Sequence, residues 1–396
     1  MTSFLSPENR RNPYPLYTQI RSASPVVRDP ASGLWMLLDY ESVKRALTDH
    51  ESFSSAVTRG QAAKWLVFID PPRHVKLRAL VMKAFTPKSI AALETRIGEI
   101  TRDLLNACIE AGDVDLAEWF AVPLPMRVVA EMLGIPASDW RQFRAWSDVI
   151  LDLSYSIAGG AEGEKATHAF RAVTAEMALY LEALLDERRA APKDDLLTRV
   201  LEAEVDGERL SNDDVLGFFQ LLLVAGHETT TNLIDNAVLC LLEHRDQLER
   251  LVKDPGLLSS AVEEVLRYRS PLQWVMRVTR REVELHGHTI PAGVLVLPII
   301  GAANRDPAVF PHPNRFDIAR DPNPQIAFGH GVHFCLGAPL SRLEGRIALG
   351  ALLPRLPYME MTDSAPWEPR KALHVHGPAR LPVRFNGQKS QSKSTR

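Results

Sequence analysis

The chain has 396 residues, of which 45% are apolar and 24% charged, and its formal net charge is −3. That composition is ordinary for a globular protein, and the lack of a basic excess argues against nucleic acid as a partner. The three cysteines, Cys108, Cys240 and Cys335, are far apart with no CxxC spacing. This argues against a disulfide framework or a thiolate zinc site and fits a reducing cytosol.

The N-terminus, MTSFLSPENRRNPYPLY, has no apolar leader. Residues 25–39 hold two short apolar runs around a Pro-Gly turn and read as strands. DPPRHVKLRALVMKAFTP places His74 and Arg78 four residues apart on one helix face. Helical spacing of apolar residues predicts helices over 89–111, stopped by Gly112, and over 123–133, 138–152, 165–190 and 194–204. A longer helix is predicted over about 212–244, with Ser211 as its N-cap. Its patch LGFFQLLLVAG is about half the length of a membrane span and reads as a buried helix, so no membrane association is expected.

Inside that helix, AGHETTT interrupts an apolar run with polar residues. Threonines bonding back one helical turn would explain one of them, but not Gly226, Glu228 and three threonines together. His227-Glu228 opens like HExxH, but position 231 is a threonine, which removes the zinc protease reading. AVEEVLRYRSP follows, with Glu264 and Arg267 at i and i+3. Residues 275–299 alternate and break at HGH and PAG, predicting strands. A Pro-rich, weakly structured stretch runs from about Asn304 to Gly337, and a segment of that kind inside a compact chain is usually functional.

That stretch ends in FGHGVHFCLG, where glycines surround Cys335 just before the helical pattern APLSRLEGRIALGALL. Backbone N–H groups at a helix start favour thiolate over thiol, and glycines let backbone approach a bulky planar ligand. Cys108 and Cys240 sit in apolar helical patterns and read as core residues. The polar tail 387–396 reads as disordered, after one mainly α domain with a minor β-sheet over 1–386.

FGHGVHFCLG resembles the haem-binding loop FxxGxxxCxG of cytochromes P450, and AGHET resembles that family's (A/G)Gx(D/E)T motif. The resemblance covers nearly the whole chain with its motifs in order. It implies a triangular-prism-like fold with the long helix over haem b, and Cys335 as axial thiolate. Phe328 would pack under the haem, Gly331 and Gly337 would shape the loop, and His333 would meet a haem propionate. His74, Arg78 and Arg277 would be further propionate donors. Ala225 and Gly226 would leave room for dioxygen, while Glu228 and Thr229 would deliver protons. Glu264, Arg267 and Arg315 would form a buried network behind the cysteine loop.

The family's activity is monooxygenation of a hydrophobic small molecule with O2. The electrons would come from NAD(P)H through a ferredoxin or flavodoxin and its reductase. A docking face near Lys76, Lys83, Arg342 and Arg346 is implied. Substrate would be lined by Trp65, Leu66, Val67, Val224, Leu272, Gln273, Trp274, Val275, His374 and Val375, a mostly apolar set. A cytoplasmic monomer is expected. The alternatives are a peroxide-driven peroxygenase, whose relatives generally lack the acid–alcohol pair, and a non-catalytic haem sensor or carrier.

Overall fold

The computed structural model describes residues 6–30, 32–58, 60–154, 160–363 and 365–386; the tail at 387–396 lies outside the described residues. Helices dominate, as the spacing predicts. Those that frame the site are α1 (Arg73–Ala84), α2 (Glu94–Ala111), α3 (Pro123–Leu133), α4 (Trp140–Asp152), α5 (Gly160–Ala190), α6 (Asn212–Ala225), α7 (Glu228–Glu243), α8 (Leu258–Tyr268) and α9 (Ala338–Leu352). α2 buries Ile97, Ile100, Leu104, Leu105 and Cys108 along one stripe, packs on α9, and stops where Gly112 takes φ +78°. Ser211 caps α6 by accepting the Asp214 N–H at 3.2 Å.

The single long helix expected over 212–244 is two helices. The ladder breaks at Gly226–His227, and the cause is visible in the side chains. A Cβ at Gly226 would lie 2.6 Å from the Leu222 carbonyl oxygen and 2.8 Å from Val129. The His227 ring turns inward, with Nδ1 donating to the Leu223 carbonyl at 2.6 Å and Nε2 accepting from the Ser147 hydroxyl at 3.3 Å. A side chain that competes for helix carbonyls bends the ladder at its own position.

The strands are β1 (Val26–Arg28), β2 (Trp35–Leu37), β3 (Phe53–Ser54), β4 (Asp113–Asp115), β5 (Arg277–Thr279), β6 (Val283–Leu285), β7 (His288–Ile290), β8 (Leu295–Pro298), β9 (Met359–Met361) and β10 (Pro382–Phe385). The largest sheet has the order β1-β2-β8-β5-β3, with β2 and β8 parallel and the other pairs antiparallel. A second sheet has the order β4-β10-β9, and β6-β7 is a hairpin. The hairpin turns through His286 and Gly287 at φ +49° and +74°, the backbone a tight two-residue hairpin requires. The helices share one large apolar core, and the five-stranded sheet covers a second.

Candidate active site

The cysteine loop is folded on itself. The Cys335 N–H donates to the Phe328 carbonyl at 2.9 Å, and Gly329 and Gly331 take φ +75° and +72°. At Gly331 any Cβ would also meet Leu47 and Thr48 at 3.1 Å, so both space and backbone demand glycine. The loop delivers Cys335 to the start of α9. Burial pushes its thiol up, while the N–H groups of Gly337 and Ala338 bond to the sulfur and, with the Arg78 and Arg342 charges, pull it down. At Cys108 and Cys240 burial in the core dominates and pushes the thiols up to about 11 and about 12. The Arg342 guanidinium lies 4.5 Å over the Phe328 ring.

Beside the loop four nitrogen-bearing side chains converge. The His74 and His333 rings are 4.2 Å apart. His333 Nε2 is 3.0 Å from the Ser55 hydroxyl, and Arg78 donates to the Phe334 carbonyl at 2.8 Å. Arg277 is 6% exposed and its Nη1 donates to the neighbouring Met276 carbonyl. Burial pulls His74 down to about 4, His333 to about 3 and Arg277 to about 10. The acid acting on this cluster, Asp70, is engaged by Ser54, by the Ser55 N–H at 2.8 Å and by Arg280 at 2.5 Å. Neither ring nitrogen of buried His74 has a hydrogen-bond partner.

A partly buried set of donors that pairs with no carboxylate of its own beyond the already engaged Asp70 fits a ligand that brings its own carboxylates. Among the described residues no three His, Cys, Asp or Glu side chains converge as a metal cage. A metal at Cys335 must therefore arrive with its own equatorial ligands. Both observations fit a haem.

At the α6–α7 break Ala225 is exposed and Thr229 half-buried. The Thr229 hydroxyl donates to the Ala225 carbonyl at 3.0 Å across the break. Thr230 bonds to Ser341 on α9 at 3.1 Å and Thr231 to the Ala121 carbonyl at 3.0 Å, so both pin α7 to its neighbours. Glu228 is buried and faces Asn232 and Arg370, at 3.4 and 3.6 Å. Asn232, Asp235 and Arg370 were not singled out from the sequence. The available signal is a run of polar residues at helical spacing inside an otherwise apolar helix.

Glu264 and Arg267 are both fully buried and paired at 2.8 Å. The second guanidinium on Glu264 is not that of Arg315, as the motif suggested, but that of Arg320, with Nε at 3.1 Å. Arg315 turns its carbonyl inward, to accept from Arg267 at 3.0 Å and Arg320 at 3.1 Å, and this sends its own side chain to the exposed surface. The Asp317 N–H also donates to Glu264 at 2.9 Å, and Arg267 donates to the Asn304 and Pro313 carbonyls. The meander is thus held on one carboxylate and one guanidinium.

The expected substrate residues divide. Leu272 pairs with Val375 in an antiparallel bridge, the Gln273 N–H donates to the His374 carbonyl at 2.8 Å, and the Trp274 and His374 rings are 5.9 Å apart. The segment after Pro271 and the C-terminal turn are therefore together. Leu272, Val275, Val224 and His374 are half-buried, Leu66 is buried, and Val67 is exposed. Three residues belong to structure rather than lining. Trp65 is buried against Phe68 and Phe170, and its indole donates to Gln220 at 3.0 Å. Both ends of the Gln273 amide are taken, by Tyr17 at 3.1 Å and the Ser270 carbonyl at 2.7 Å. Trp274 sits in the N-terminal core with Tyr14, Tyr17 and Leu297.

The cations proposed for docking all have partners within the chain. Lys76 meets Glu208 at 2.8 Å, Arg342 meets Glu263 at 2.6 Å, Arg346 meets Glu94 at 3.5 Å, and Lys83 donates to the Glu204 carbonyl at 2.5 Å. Among the described residues no helix is long and apolar enough to cross a membrane.

A family model described as Cytochrome P450 matches residues 160–372. The chain is 40% identical over 390 residues to a vitamin D(3) 25-hydroxylase of Pseudonocardia autotrophica, with 94% of each covered. It is 41% identical over 345 residues to an erythromycin C-12 hydroxylase of Saccharopolyspora erythraea, with 85% of each covered. The crystal structure of CYP109E1 from Bacillus megaterium in complex with testosterone superposes with a TM-score of 0.86 at 40% identity, covering 95% of this chain and 100% of that one. With a cysteine loop, a donor cluster and a broken helix in this arrangement, and with relatives of this extent, the chain is an oxidoreductase that belongs to the cytochrome P450 family.

Proposed function

We propose that the chain is a haem-thiolate monooxygenase that inserts one atom of O2 into a hydrophobic substrate of steroid or macrolide size. The observation that carries this reading is Cys335 seated beside a partly buried cluster, His74, Arg78, Arg277 and His333, in which His74 has no hydrogen-bond partner and the two arginines reach only backbone carbonyls. In this reading Cys335 ligates haem b and the four donors hold its propionates. When bound, the haem would supply an iron whose ligation by the Cys335 thiolate favours activation of dioxygen.

The remaining roles belong to the chain. Ala225 keeps the helix surface low beside the break, and Gly226 lets Val129 of α3 approach the backbone closely. Thr229 can turn its hydroxyl from the Ala225 carbonyl into the space beside the break and donate a proton there, which Glu228 would resupply. The apolar lining at Leu66, Val224, Leu272, Val275 and Val375 excludes water and favours a large apolar substrate. A steroid-like molecule comes first, because a hydroxylase of vitamin D(3) and a testosterone complex stand among the relatives; fatty acids and terpenoids follow. Electrons come from NAD(P)H through a ferredoxin or flavodoxin and its reductase. Such a partner must compete with the internal pairs of Lys76, Arg342 and Arg346. The enzyme works as a cytoplasmic monomer.

The test is a spin-state titration of the haem-loaded protein against steroids, macrolides, terpenoids and fatty acids. Turnover with a surrogate ferredoxin system follows. Hydroxylated or epoxidised product dependent on NAD(P)H and O2 supports the reading. Product formed with peroxide alone would favour a peroxygenase, and binding without any product a sensor.

A further inference from the structure

Helix α7 hides more charge than proton delivery by Glu228 requires. Asn232 and Asp235 are 0% exposed, and with Glu228 they fall at i, i+4 and i+7, on one face. Arg370, from the segment before β10, lies along that face. Its Nε donates to Asn232 Oδ1 at 2.8 Å and is 3.6 Å from Glu228 Oε1, while Nη2 donates to Asp235 Oδ2 at 3.0 Å. Asn232 Nδ2 closes the arrangement with Glu228 Oε1 at 3.4 Å. Arg370 is fixed from behind, because its N–H donates to the Gly377 carbonyl at 3.1 Å.

One guanidinium faces two buried carboxylates, and a second buried charge without a partner is expensive. The unit therefore retains one proton up to about neutral pH. Asp235 is where it sits, since its Oδ1 is buried with no hydrogen-bond partner. Burial pushes Asp235 up to about 7; Arg370 opposes this, and Asp115 on β4 and Glu228 add to it. Around Glu228 the charged or titratable groups are His227 beside it, Asp148 on α4, Asp235 on its own helix, and Arg370 and His374 from the C-terminal segment.

We propose that Asp235 and Arg370 are positioning residues that hold Glu228 in place, with Asp235 controlling how firmly Arg370 does so. While Asp235 is neutral, Arg370 is shared with Glu228. When Asp235 ionises it claims the guanidinium and adds negative charge beside Glu228, and both effects loosen the hold of Arg370 on that carboxyl group. Asp235 thus gives up its proton as pH rises, and Arg370 stays charged throughout. The inference rests on Glu228 being the proton-delivering acid.

The experiment compares haem-loaded wild type, Asp235→Asn, Arg370→Lys, Arg370→Gln and the double variant Asp235→Asn/Arg370→Gln. The first readout is product per NAD(P)H between pH 5.5 and 9, a range bracketing about one and a half to two units around the Asp235 titration. Wild type should show a step near neutral pH. Asp235→Asn should lose the step, and Arg370→Lys should retain it where Arg370→Gln does not. The second readout needs no turnover: the infrared C=O band of a protonated carboxyl should bleach as wild type is titrated and be missing from Asp235→Asn. A step and a titrating band that both persist in Asp235→Asn overturn the proposal, as does a stability loss in Arg370→Gln with an unchanged pH profile. If Asp235→Asn loads haem poorly, the double variant, which removes both charges, must lack step and band. If wild type makes no product at all, the monooxygenase reading fails, and the infrared titration still decides the proton on Asp235.

Discussion

Arg320 places its Nε 3.1 Å from Glu264, a carboxylate that Arg267 already holds at 2.8 Å from one turn along the same helix. Arg267 spends its remaining donors on the carbonyls of Asn304, Pro313 and Arg315. One fully buried carboxylate thus ties α8 to the whole irregular stretch before Cys335. Glu264→Gln should strand two buried guanidinium groups at a cost of roughly 3–5 kcal/mol, a large fraction of a typical stability of about 5–15 kcal/mol. The purified protein should be mostly haem-free. Arg320→Leu should approach that phenotype. Arg315→Ala should load normally, because Arg315 contributes only its carbonyl; haem content of the three variants is the measurement.

For Cys335 the expectation is spectroscopic. The reduced carbon monoxide complex should show the red-shifted Soret band of thiolate ligation. Cys335→His should lose it, while Cys108→Ser and Cys240→Ser keep it, since both are buried in the apolar core. The same band surviving in Cys335→His would place the ligand elsewhere.

Thr229→Ala removes the hydroxyl that lies on the Ala225 carbonyl. Haem binding and substrate affinity should be unchanged. A positioned acid–base group typically contributes 10²–10⁴-fold, so product formation should fall by at least about tenfold while NAD(P)H consumption continues and hydrogen peroxide accumulates. Coupling equal to wild type would move the role to another donor. Thr230→Ala and Thr231→Ala are the controls, because their hydroxyls are committed to Ser341 and to the Ala121 carbonyl.

How much of this was legible in the sequence depends on length scale. The helices were readable because burial imprints a long stripe such as Ile97-Ile100-Leu104-Leu105-Cys108. Strands β3, β4, β9 and β10 span two to four residues and are too short to show alternation. The break at Gly226–His227 was missed because it depends on where the His227 ring finds Leu223 and Ser147, which is a tertiary fact. The choice between Arg315 and Arg320 had the same cause. Both arginines lie in the same irregular stretch, and only the inward carbonyl of Arg315 decides which guanidinium reaches Glu264. At the site, local motifs placed Cys335, Glu228 and Thr229. Arg370 could not be linked to Asp235 by any local pattern, since they are 135 residues apart.

His376 gives the fold an acid limit of its own. It is 1% exposed, its Nε2–H donates to the Arg11 carbonyl at 3.1 Å, and its Nδ1 has no partner. Its ring meets Tyr14 and Trp367, each at 5.8 Å. Burial, with Arg269, Arg305 and Arg10 nearby, lowers it from 6.5 to about 3. Between those values the unfolded chain binds the proton and the folded one does not. Stability is therefore complete above about pH 6.5 and falls as pH drops toward 3, by on the order of 5 kcal/mol over the full window. His376→Gln keeps a donor for Arg11 and cannot titrate. It should be about 1 kcal/mol or more less stable at pH 7.5, through lost ring contacts, and should lose less stability on acidification than wild type. Urea unfolding midpoints at pH 7.5 and 5 measure the difference. Parallel declines in the two proteins would mean that His376 is protonated in the folded state and that its acid sensitivity lies elsewhere.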